Sequence, residues 1–161
     1  MARRIATIGV YGFDAEEFMR TLRGAGVEVL LDVRQRRGVR GPQYAWANSR
    51  RLQAALAEAG IGYQHHKELA PTTALRQAQY RADAEQGEGK RNRTRLSPEY
   101  ERLYTEEILE AADLDPIAAL AREALPVLFC VERDPQACHR SLIAARLERG
   151  FGLEAFHLRP D

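Results

Sequence analysis

Val127-Leu128-Phe129-Cys130-Val131-Glu132-Arg133-Asp134-Pro135-Gln136-Ala137-Cys138-His139-Arg140 is the stretch on which the reading of the chain turns. A short apolar run ends in a thiol and a carboxylate. Asp134 and Pro135 then have the makings of a helix start, an N-cap oxygen followed by a proline whose missing N–H costs nothing in the first turn. The spacing predicts a strand followed by a helix whose first turn and a half carries Cys138, His139 and Arg140. In a parallel sheet such a junction is a carboxyl edge, where backbone donors and the positive end of a helix dipole gather and ligands bind.

Working outward, the same alternation recurs. Residues 5–11 read as a first buried strand, and Asp14 with Glu17 three residues on has the form of a capping box that opens a helix. Residues 27–33 are β-branched and almost continuously apolar, as strands buried on both faces are. Asn48 or Ser49 opens a helix that runs to Gly60, residues 61–65 make a short third strand, and residues 153–158 a last one. Helical spacing also runs from Pro98, from Pro116, and through residues up to Arg149. The pattern implies an α/β fold: a single three-layer α/β/α domain over residues 1–161 with a mostly parallel sheet of four or five strands, its strand order left open. The charged, glycine-spiked region near residues 72–97 reads as a polar insertion or flexible loop.

Charge is balanced overall, with 24 Lys and Arg against 23 Asp and Glu, so no global field draws the chain to polyanions. Locally it is not. Arg34, Arg36, Arg37, Arg40, Arg50 and Arg51 fall within residues 33–57, which hold no acid, and Lys90, Arg91, Arg93 and Arg95 form a second basic cluster that reads as solvated loop. Two cysteines are too few for a disulfide framework and suit a reducing compartment. No apolar run is long enough for a signal peptide or a bilayer span, so a cytoplasmic location without membrane partners is expected.

In a parallel fold the strand ends bring Tyr11, Asp32, Arg34, His65, Cys130 and Glu132 to one edge, and the last helix adds Cys138, His139 and Arg140. Cys138 is the candidate nucleophile, since a helix N-terminus and Arg140 favour its thiolate, whereas Cys130 reads as core. His139 or His65 would be the acid–base, and Glu132 an orienting carboxylate. Arg34 and Arg140 would hold an anion, with Asp32, His65 and Tyr44 as further ligands. Arg140 could instead pair with Glu132 or Asp32, and His139 could be a satisfied inner histidine. Cys130, Cys138, His139 and His65 are soft-ligand types, yet their spacing matches no standard zinc pattern, so no metal is assigned. Neither a G-x-G-x-x-G nor a Walker sequence occurs, and no cofactor is implied.

Thr7-Ile8-Gly9, Val29-Leu30-Leu31-Asp32-Val33-Arg34, Ala59-Gly60-Ile61-Gly62-Tyr63 with His65, and above all Cys130-x-Glu132 followed by Cys138-His139-Arg140 resemble the bacterial and archaeal family called domain of unknown function 488. The resemblance spans nearly the whole chain and implies a compact α/β domain, with no established reaction. Val10 stands where members often carry a histidine. Two functions follow as expectations. One is an enzyme acting on a phosphate-bearing substrate, a nucleotide or nucleic-acid end, at the carboxyl edge. The other is a non-catalytic nucleic-acid-binding module that uses the arginine-rich loop 34–51, with Tyr44 and Trp46 stacking on bases. The oligomeric state is left open.

Overall fold

The computed structural model describes residues 3–89 and 93–160. Five strands, β1 (Arg4–Ile8), β2 (Val29–Asp32), β3 (Gly62–His65), β4 (Pro126–Phe129) and β5 (Glu154–His157), form one sheet in the order β3-β2-β4-β1-β5. Every pairing is parallel, with Asp32 opposite Phe129 and Ile8 opposite Phe129 on its other side. The mostly parallel sheet read from the sequence is therefore wholly parallel. β4, the most apolar strand, lies at its centre, and Val127, Leu128 and Phe129 are completely buried.

Among the described residues six α-helices connect the strands: α1 (Ala15–Ala25), α2 (Ser49–Glu58), α3 (Thr73–Glu85), α4 (Pro98–Tyr104), α5 (Asp115–Glu123) and α6 (Arg140–Phe151). Asp14 Oδ1 accepts from Glu17 N at 2.8 Å, the N-cap bond that the sequence predicts. α1 ends at Gly26, whose φ of 78° is the left-handed conformation that glycine adopts without penalty. Its Phe18, Met19 and Leu22 face the core. Right-handed crossovers place connections that run one way along the sheet on one face and those that run the other way on the opposite face, giving three layers.

Two expectations are corrected. The region near residues 72–97 is not a loop throughout: Thr72 Oγ1 caps α3 by accepting from Leu75 N at 3.2 Å, and Leu75, Gln79 and Asp83 are buried along it. Its polar residues sit inward because they pair with one another, a signal that composition does not carry. The last helix also starts later than Asp134-Pro135 suggests. Residues Pro135–Ala137 form a single 3-10 turn, Cys138 is extended (φ −139°, ψ 146°), and α6 opens at Arg140. At its other end Gly150 lies within the helix, and Gly152 (φ 71°) closes it.

The sheet order fixes where a ligand can sit. From β2 the chain moves outward to β3; from β4 it moves the other way, past β1, to β5. At the β2/β4 pair the connections diverge, and the crevice left above two such carboxyl ends is where open α/β sheets bind ligands.

Candidate functional site

Above that crevice lies a cavity of about 710 Å³, within the size range of small-molecule sites. Its floor includes Cys130, Val131, Glu132 and His139, and its walls include Arg34, Arg36, Arg40, Arg76 and Arg93. Arg36 is exposed and has no hydrogen-bond or ion-pair partner among the described residues. Arg76 donates to Gln35 Oε1 (2.8 Å) and Tyr80 Oη (3.0 Å), neutral acceptors that leave its charge uncompensated.

His139 spans the crevice. Its Nε2 lies 2.7 Å from the Val33 carbonyl at the end of β2, and its Nδ1 lies 3.7 Å from Cys130 Sγ and 3.6 Å from Cys138 Sγ. A carbonyl only accepts, so Nε2 carries a hydrogen and Nδ1 faces the sulfurs. Cys130 Sγ also lies 3.5 Å from Glu132 Oε2. Tyr104, itself buried and donating to the Leu69 carbonyl at 2.6 Å, backs the imidazole at 5.5 Å between ring centres.

The charges follow from this packing. Burial opposes ionisation of Cys138, yet a hydrogen bond from Cys130 and the positive charges of His139 and Arg140 outweigh it and hold the thiol well below its usual value. Cys130 is pushed well above that value, first by burial and then by the neighbouring Cys138. For His139, burial disfavours the charged ring, but the Cys138 charge and the Val33 carbonyl more than compensate, and its pKa rises. Ionisation is thus favoured at Cys138 over Cys130, and the proton-bound form of His139 is favoured beside it.

Around this floor stands a buried ion network. Arg93 Nη2 donates to Glu132 Oε1 (2.6 Å), Nη1 to Asp83 Oδ2 (2.8 Å) and Nε to the Ala137 carbonyl (3.0 Å). Gln79 Nε2 donates to Asp83 Oδ1 at 2.8 Å while its Oε1 accepts from Ser97 N. The expectation that the second basic cluster is solvated therefore fails for Arg93, which is 8 % exposed. Lys90 and Arg91 of that cluster lie outside the described residues. Nothing in the sequence marked Arg93, Asp83 or Gln79, because a buried ion pair and a solvated one have the same composition.

Of the residues expected at the site, Arg34, Glu132 and His139 line the cavity; Asp32, His65, Tyr44, Cys138 and Arg140 are not among its lining residues. Cys138 is 1 % exposed and is not a lining residue, whereas Cys130, buried in the core as the sequence reading has it, also borders the cavity. Arg34 is turned inward. It donates through Nε and Nη2 to the two oxygens of Asp32 (2.9 Å each) and through Nη1 to the Ala47 carbonyl (2.9 Å), and Tyr63 Oη adds a 2.6 Å bond to Asp32. Arg140 is equally internal, donating to Thr7 Oγ1, to the Glu132 carbonyl (2.7 Å) and to the Arg133 carbonyl. Both guanidiniums are committed to protein acceptors. The alternative that Arg140 forms an ion pair with Glu132 or Asp32 is not met among the described residues: the Asp32 carboxylate pairs with Arg34 and that of Glu132 with Arg93.

His65 Nε2 lies against the Arg34 carbonyl at 3.1 Å, beyond the cavity wall. Tyr44 packs on Tyr11 (5.2 Å between ring centres) and its hydroxyl accepts from Gly12 N. Trp46 lies 4.8 Å from the Phe18 ring, against the core. Val10 is fully buried. Cys130, Cys138 and His139 are also the one group of potential metal ligands found among the described residues. No helix among those residues is long and apolar enough to cross a membrane.

A family model described as Domain of unknown function DUF488 matches residues 14–147. No curated protein matches the chain, and no solved structure does.

Proposed function

The chain belongs to the DUF488 family, whose description names no reaction, and from the site alone we propose that it is an enzyme acting on a phosphate-bearing substrate in the cavity over the β2/β4 crevice. One observation carries this reading: a cavity of ligand size has arginines on its walls and a cysteine, a glutamate and a histidine on its floor. Arg36, Arg40 and Arg76 are the groups to hold the anion, since guanidinium forks match phosphate oxygens. Cys130 is the sulfur to meet the substrate, with the Cys138 thiolate behind it to take its proton and Glu132, fixed by Arg93, beside it.

Calorimetric titration of the reduced, metal-free protein with phosphate, nucleoside phosphates and simple phosphate esters tests the reading, together with an assay for phosphate release. Binding that weakens at least tenfold in Arg36→Ala/Arg76→Ala, with turnover lost in Cys130→Ser, is the expected result. No binding by the folded wild-type chain across that set would overturn it.

A second reading retains the basic loop: Arg36, Arg40, Arg50 and Arg51 are all exposed, as a nucleic-acid contact requires. Oligonucleotide affinity that falls steeply with salt and is untouched by Cys130→Ser would favour it over the enzyme.

A further inference from the structure

Cys130 directly follows β4, and Cys138 and His139 directly precede α6, so three backbone positions deliver two sulfurs and one nitrogen to a common point. Those three atoms all lie within 4.8 Å of one another, and all three residues are buried. We propose that they form a binding site for a soft, thiolate-seeking cation of the Zn2+ class, with the fourth coordination position open to the cavity.

Three independent features support the site. The first is spacing. Bonds of about 2.3 Å to sulfur and about 2.0 Å to nitrogen at tetrahedral angles put sulfur and nitrogen about 3.5 Å apart. The observed separations, 3.7 Å for Cys130 and 3.6 Å for Cys138, match that spacing, and the two sulfurs lie within 4.8 Å of each other. The second is the far side of the ring. Metal-bound histidines characteristically donate their other N–H to a carbonyl or carboxylate, which fixes the ring and aims the ligating nitrogen. His139 Nε2 makes that bond to Val33, at 2.7 Å. The third is charge. Two thiolates and a neutral imidazole balance a divalent cation, which matters in a buried place, while the nearby Glu132 carboxylate already has Arg93. The ion takes the place of the protons held on the cluster, which leave to solvent on binding.

Three protein ligands with an open fourth position is the arrangement of reactive rather than structural zinc sites. Cys130 and His139 both border the cavity, the side from which a fourth ligand would come. A bound ion also occupies both sulfurs, so the loaded chain has no free thiolate. The inference therefore stands apart from the phosphate reading, which is tested on the metal-free protein.

Adding Co2+ to the reduced, metal-stripped chain reads the site directly. One ion per chain, an intense sulfur-to-cobalt charge-transfer absorption and its displacement by one equivalent of Zn2+ are expected. Cys138→Ala should lose the band while still melting cooperatively, and Zn2+ should slow alkylation of both cysteines at least tenfold in the wild-type chain. That alkylation measurement keeps the test decisive if the variant fails to fold. A folded, reduced wild-type chain that gives no charge-transfer band and alkylates equally with and without Zn2+ overturns the site, whatever the outcome with phosphate ligands.

Discussion

The Arg93 guanidinium lies 2.6 Å from the Glu132 carboxylate and joins it to Asp83 of α3, so the segment before α4 is tied to the end of the central strand. All three side chains are nearly inaccessible to water, and an arginine here serves two buried acids at once. Removing it takes a buried cation away from both acids. Arg93→Ala should cost about 3–5 kcal/mol in urea unfolding, the penalty of leaving buried charge uncompensated. Arg93→Lys should recover only part of this, since one ammonium cannot reproduce the fork that reaches Glu132, Asp83 and the Ala137 carbonyl together. Stability unchanged in both variants would mean that the network contributes nothing.

Gly9 fixes the close approach of β1 to that same strand end. A Cβ at this position would lie 1.9 Å from the Glu132 carbonyl oxygen, which also accepts from Arg140 Nη1. Neither neighbour is a flexible tip that can swing aside. Gly9→Ala should destabilise by about 1–3 kcal/mol or more through overpacking, read as a lower denaturant midpoint at unchanged slope. An unshifted midpoint would rule out the contact.

Asp32 and Arg34 form a buried bidentate pair, and breaking one partner should be worse than removing both. Asp32→Ala leaves the Arg34 charge buried and should cost about 3–5 kcal/mol, whereas Asp32→Leu/Arg34→Met should cost clearly less. A double-mutant cycle in thermal or urea melts measures the difference. Simple additivity would show that the pair is not coupled.

His157 reports the other end of the sheet. Burial first, then the positive charges of Arg140 and Arg159, hold its pKa below the ordinary 6.5. The unfolded chain then takes up the proton at higher pH than the folded one, so the contribution to stability is full above pH 6.5 and is lost as pH falls through the folded value. An NMR titration should place the His157 midpoint below the ordinary value, and Arg159→Gln should move it upward. A midpoint at or above that of an unfolded-chain histidine contradicts this account.

The local rules served the elements well. The Asp14 cap, the glycine closing α1, the continuous apolar strands and the parallel alternation are all set by residues a few positions apart, whose preferences act before any tertiary contact exists. Errors fell where a polar residue had two possible environments. Gln79, Asp83 and Arg93 have the composition of a surface loop, and only their mutual pairing takes them inside. Arg34 and Arg140 look like anion ligands until Asp32 and the Glu132 carbonyl claim their donors.

What the sequence determined by itself was the α/β alternation and the cysteine–glutamate and cysteine–histidine–arginine signature at one sheet edge, because strand and helix periodicity and turn chemistry are local. Tertiary structure alone decided which sulfur borders the cavity, that Arg34 and Arg140 are turned inward, and that His139 meets Val33 across 106 residues of chain. Contacts of that separation depend on strand order and on which polar groups are desolvated together, and neither is written in the neighbouring residues.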